Sequence, residues 1–172
     1  MTMKKSKYIV LSSIFLGLLL FGNCTKKTYT LDDPVSKIEG LNGSWTLYSV
    51  VQVDEVSLSK DERDISSFYI GDGTVEIEVL EVTFNSSGKT FEIVLGDIGR
   101  NYLPTSGTWS FDDNNFPQYI YLEEDNGTVT TLKLQGPTRP QDQKLKFSFQ
   151  RSCTILGEEK EYVGYRYEFN RK

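Results

Sequence analysis

Two groups of glutamates, Glu76, Glu78 and Glu81 in one stretch and Glu158, Glu159 and Glu161 in another, are the side chains here best placed for acid–base chemistry. Carboxylates facing each other across a cleft can cleave a glycosidic bond, one as acid and the other as nucleophile or base. Both groups lie opposite apolar strand positions, where acids are ordinarily solvated, so they read as surface. Asp112-Asp113-Asn114-Asn115 offers a row of oxygen ligands but lacks the glycine and distal bidentate glutamate of a calcium-binding EF-hand loop, and it reads as a polar turn. Asp72-Gly73 reads as a turn in the same way. The chain contains no histidine, which removes Ser-His-Asp and Cys-His catalysis and every His-ligated metal site. Its two cysteines, Cys24 and Cys153, make neither a disulfide framework nor a four-cysteine metal site. No P-loop and no Rossmann glycine pattern is present. The sequence therefore reads as non-enzymatic, with no metal and no cofactor.

With 172 residues, 38% hydrophobic and 25% charged, the chain suits one ordinary domain. Three of its 19 basic side chains (Lys4, Lys5 and Lys7) precede residue 24, so 16 remain against 24 acids and the body stands at −8. Such a body repels phosphate backbones, and no nucleic-acid partner is expected.

Residues 1–23 pair a cationic start with an uncharged run from Tyr8 to Phe21, too short for a spanning helix of about 20 apolar residues and suited to a signal peptide. Phe21-Gly22-Asn23-Cys24 follows directly and resembles the lipobox of bacterial lipoproteins, with Phe21 and Asn23 where the family more often has Leu and Gly or Ala. The resemblance implies cleavage before Cys24, acylation of its thiol with palmitate-type chains, and anchoring in the outer membrane. Two or more chains hold a protein on a bilayer stably, where one holds it only marginally. Residues 24–32 then form a polar tether. Cys153 is left without a partner thiol and reads as a small buried hydrophobe.

The domain proper is expected over 33–172. Asp33-Pro34 is a helix-start pair, Val35 and Ile38 share a face, and Gly40 supplies the stop, which predicts a helix of one or two turns. From Gly43 onward the chain alternates as strands do. Trp45, Leu47, Val51 and Val53 form one phase of the first. Val75, Ile77 and Val79 conflict in phase with Leu80, Val82 and Phe84, which predicts a bulge or bend near Val79-Leu80. Phe91, Ile93 and Leu95, then Trp109 and Phe111, then Tyr119–Leu122, Val129–Leu134, Leu145–Phe149 and Val163–Phe169 supply further strands, with another expected near Ser66–Ile70. The fold class is all-β: an antiparallel, up-and-down barrel of eight or nine strands preceded by a short helix.

Gly43-Ser44-Trp45 after a short helix, with Gly107-Thr108-Trp109-Ser110-Phe111 later, resembles the lipocalin-like lipoprotein domains of Gram-negative bacteria. The resemblance implies that Trp45 closes one barrel end beneath an arginine from near the last strand, with Arg166, or failing that Arg151, in that role. It also implies a small apolar or amphipathic ligand inside. The lining would come from Leu47, Val51, Phe91, Ile93, Phe147 and Phe149, a face that no charge interrupts and that favours an apolar guest. The other reading is a non-enzymatic protein- or glycan-interaction module of the envelope, a filled barrel or sandwich. Tyr48, Tyr119, Tyr121 and Tyr165 would be its outward contacts.

Overall fold

The structure, a computed structural model, describes residues 35–71, 74, 77–96, 102–155 and 157–172. Cys24, the tether, Asp33-Pro34, Asp72-Gly73, Val75 and Glu76 lie outside the described residues. A five-residue helix, α1 (Lys37–Leu41), comes first. Its cap is Ser36, whose Oγ accepts the Glu39 N–H at 3.2 Å. Gly40 lies inside this helix rather than after it. A Cβ there would fall 2.5 Å from the Thr138-Arg139 backbone, so it is close packing that requires a glycine.

Nine strands follow: β1 (Gly43–Asp54), β2 (Glu62–Asp64), β3 (Glu81–Asn85), β4 (Thr90–Val94), β5 (Ser106–Phe111), β6 (Tyr119–Glu123), β7 (Val129–Leu134), β8 (Lys144–Ile155) and β9 (Glu158–Arg171). From β3 to β9 each strand pairs antiparallel with the next. β1 pairs with β3 on one side and with β9 on the other, which closes an eight-stranded barrel. β2 adds beside the C-terminal half of β1. Closure leaves these eight strands without a long free edge.

Two local expectations are corrected. The segment Ser66–Ile70 is not a strand but contains a one-turn helix, α2 (Ser67–Ile70). Asp64 Oδ1 accepts the Ser66 N–H at 2.8 Å and turns the chain, Ile65 and Tyr69 are buried one helical turn apart, and Gly71 leaves at φ +71°. The phase conflict around Val79-Leu80 is resolved by a strand end rather than a bulge. β3 begins only at Glu81, and Leu80 O accepts the Leu47 N–H at 2.9 Å.

The bulge lies instead in β1. Its register against β9 steps between Leu47 and Ser49, leaving Tyr48 unpaired. One extra residue flips every later side chain to the other face. The inward phase therefore runs Trp45, Leu47, Val50, and Val51 turns outward beside Arg166, its register partner. Inside, buried side chains from all eight barrel strands form one contiguous cluster, with Phe147, Tyr167 and Phe169 packed at 5.3–6.2 Å between ring centres.

Candidate functional site

The two ends of the barrel differ. At one, Trp45 is 1% exposed and its indole Nε1 donates to Leu41 O at 2.9 Å. The Arg171 guanidinium lies over the indole, with Cζ 4.2 Å from the ring centre. Its Nη1 donates to Asn42 O and its Nη2 to Gly40 O, both at 2.8 Å, and its Nε donates to Asp142 O at 3.0 Å. The last carbonyls of a helix have no partner within it. Here Arg171 and Trp45 take three consecutive ones, so helix, indole and guanidinium form a plug. Ile38 packs against the core, while Val35 is exposed.

The arginine over Trp45 is therefore Arg171, not Arg166. Inward residues of β9 are odd-numbered, and Arg171 faces Trp45 directly across the β1–β9 ladder. Arg166 points outward and donates from Nη1 to Glu62 Oε1 at 2.6 Å. Arg151 is at the opposite end.

No such plug stands at that opposite end among the described residues. A cup of about 470 Å³ is lined by Gln52, Asp54, Arg63, Arg151, Tyr162 and Tyr165, with Asp61 and Glu62 on its rim. The bulge at Tyr48 matters here, because Gln52 and Asp54 share the face of inward-pointing Val50 only once the phase has shifted. Arg151 continues the inward phase of Leu145, Phe147 and Phe149. Its Cζ lies 4.7 Å from the Tyr102 ring centre and 5.9 Å from that of Tyr162. Tyr102 in turn stacks on Tyr165 at 5.0 Å.

Beneath the cup lie more phenols. Tyr69 stands edge-on to Tyr167 at 6.5 Å, and the Tyr167 hydroxyl, fully buried, lies beside that of Tyr69 without reaching hydrogen-bond geometry with any group among the described residues. Burial pushes the Tyr165 hydroxyl up to about 12 and also raises Tyr69 and Tyr167. All three stay neutral at physiological pH. They can offer hydrogen bonds and ring faces but not a base.

The acids of the cup are engaged locally. Asp54 Oδ1 accepts the N–H groups of Val56 and Ser57 at 2.9 and 3.2 Å, Asp61 Oδ1 accepts the Ser59 hydroxyl at 2.7 Å, and Glu62 takes Arg166. The two arginines of the cup, Arg63 and Arg151, make no ion pair among the described residues; Arg63 lies 5.9 Å over Phe68.

Of the residues expected to line a ligand chamber, Leu47, Phe91, Ile93 and Phe147 are brought together inside the barrel, each 1–4% exposed. They pack against one another and their neighbours as core. Phe149 is half-buried against the same cluster, nearer the mouth. Val51 is excluded by the bulge. The inward face does not stay uncharged along its length; it runs out into Arg63, Arg151 and Asp54 at the mouth.

The expected outer tyrosine patch does not assemble. Tyr48 is 52% exposed, with Lys144 Nζ 5.1 Å from its ring centre, but Tyr119 and Tyr121 are half-buried and Tyr165 belongs to the interior. The carboxylates of the polar turn are spent on its backbone. Asp112 Oδ1 accepts the Gln118 and Tyr119 N–H groups, both at 2.9 Å, and Asp113 Oδ1 those of Asn115 and Phe116 at 2.7 and 3.1 Å. Glu159 and Glu161 line an exposed surface cleft with Gln150 and Ser152.

Arg151 was legible as a mouth residue, because a cation that ends an inward apolar phase marks where the interior meets water. Gln52 and Asp54 were not, since their orientation depends on the bulge. Among the described residues no helix is long and apolar enough to cross a membrane. Comparison with the curated proteins returned no match. A family model does match most of the chain, from Gly22 through the start of β9. The chain belongs to the family described as Domain of unknown function (DUF5004), which its residues 22–161 match.

Proposed function

We propose that this protein is a lipid-anchored binding protein of the bacterial outer membrane, tethered through Cys24, that holds a small amphipathic molecule in the mouth of its barrel. The observation that carries the reading is the cup of about 470 Å³ at the end opposite the plug, lined by Tyr162 and Tyr165 among polar and charged side chains. Ligand sites are commonly concave and of this size, with a few polar groups set among apolar and aromatic ones, and barrel mouths are a usual place for them. The guest sits on Tyr162 and Tyr165 and reaches no deeper, because the interior below is side chain. No catalytic role is assigned to any residue. The envelope assignment rests on the lipobox-like Phe21–Cys24 and the uncharged run before it.

Two measurements test this. The wild-type chain, made with its own leader, should partition into detergent and show an acylated residue 24 by intact mass, while Cys24→Ala should stay aqueous. Both in the aqueous phase would end the anchoring claim. Native mass spectrometry of wild type extracted from its own envelope should show a co-purifying small molecule, absent from Gln52→Trp, which fills the cup. An unliganded mass for both, at equal thermal stability, would leave the filled barrel as an interaction module.

A further inference from the structure

We infer that the guest carries an anionic group and that Arg151 is the residue that recognises it, an inference that rests on the cup being a binding site. Arg151 is half-buried, whereas Asp54, Asp61, Glu62 and Arg63, the other charges of the cup, are exposed. Exposed charges are screened by water and salt; a half-buried one is screened far less. The charge the mouth offers most strongly is therefore positive, although the acids outnumber the arginines.

The guanidinium also lies against aromatic rings, with Cζ 4.7 Å from the ring centre of Tyr102 and 5.9 Å from that of Tyr162, and among the described residues it makes neither a hydrogen bond nor an ion pair. A guanidinium carries five donors in a rigid fork suited to carboxylate, sulfonate or phosphate oxygens. The structure thus presents a half-buried cation beside aromatic rings, with no acceptor for its N–H groups among the described residues. The carboxylates of the cup, Asp54, Asp61 and Glu62, form no ion pair with it among the described residues; each has an oxygen engaged by loop N–H groups, a serine hydroxyl or Arg166. Arg63, on β2 opposite Gln52 and likewise without an ion pair among the described residues, adds a second positive charge. A flat or apolar body lying on the tyrosines with its anionic group against Arg151 meets every one of these features.

The test compares naphthalenesulfonate with its uncharged counterpart naphthylmethanol by titration calorimetry. It uses the full acylated chain in dodecyl maltoside, with empty micelles as the blank. The sulfonate should bind roughly tenfold more tightly or better, the range of a charge-assisted hydrogen bond. Arg151→Gln should abolish the preference and leave naphthylmethanol binding intact, which also shows that the variant is folded. Arg63→Gln should reduce the preference only in part. Equal wild-type affinities, or a preference that survives Arg151→Gln, would overturn the inference while the cup remains a binding site. If neither probe binds, the cup reading falls and this inference with it. Inorganic phosphate should not displace the sulfonate; displacement by phosphate where naphthylmethanol does not bind would replace the amphipathic guest with a free anion.

Discussion

Arg171 lies over the ring of Trp45 at 4.2 Å, and the two residues are also register partners across β1 and β9. The strand pairing that closes the barrel is therefore the pairing that plugs its end. Removing a buried tryptophan side chain typically costs about 3–5 kcal/mol, a large share of a small domain's stability. Trp45→Ala should yield unfolded or aggregated protein. Arg171→Lys, which keeps the charge but cannot bridge three carbonyls, should cost about 1–3 kcal/mol in urea unfolding. Tyr48→Ala should change little. Equal small effects from all three would remove the plug from the account.

The bulge at Tyr48 makes a sharp distinction between adjacent valines. Val50 is fully buried and faces the core, whereas Val51 shares the outer face with Arg166. Val50→Ala should cost about 2 kcal/mol through lost burial and a residual cavity. Val51→Ala should cost well under half of that. Melting temperatures in the reverse order would show that the register of β1 runs straight through.

Tyr167 carries a hydroxyl that is buried without a hydrogen-bond partner among the described residues. A buried unsatisfied polar group costs about 1–3 kcal/mol. Tyr167→Phe keeps the ring between Phe147 and Phe169 and removes only that cost, so its melting temperature should equal or exceed that of wild type. A loss of more than about 1 kcal/mol would reveal a hydrogen bond, with Tyr69 as its partner.

The turn between β5 and β6 should make stability fall with acid. The Tyr119 N–H, more than any other group, holds the Asp112 carboxyl below its ordinary range, joined by the Gln118 N–H. A carboxyl whose folded pKa is depressed binds its proton more readily in the unfolded chain. Its contribution is then complete above the unfolded value, near 4, and disappears as pH falls through the folded one. Urea midpoints measured from about pH 6 down to pH 2 should decline less steeply in Asp112→Asn, which keeps an acceptor oxygen but does not titrate. Superimposable slopes would assign the acid loss to other carboxylates.

Alternation alone was enough to set out the all-β meander, because in a strand each side chain's face follows from its position modulo two. Leu145, Phe147 and Phe149 against Lys144, Lys146 and Ser148 could be read directly, and so could Tyr165, Tyr167 and Phe169 against Arg166 and Glu168. Applied to β9, the same parity puts Arg166 outside and Arg171 inside, which the expectation of Arg166 over Trp45 passed over. Tertiary structure decided what parity cannot carry: where it breaks. A bulge is a property of two paired strands, visible only once Leu47 and Ser49 are set against Phe169 and Glu168, and it alone exchanges Val51 for Val50 and turns Gln52 and Asp54 toward the mouth. The strand expected at Ser66–Ile70 proved a helical turn for a similar reason, since five residues are too few for period two and period 3.6 to be told apart until Ile65 and Tyr69 find a common core. Whether the barrel's inside is chamber or core was likewise undecided by residue type. Aromatic and aliphatic side chains would line either, and only their mutual contact fills the space and leaves the mouth as the place for a guest.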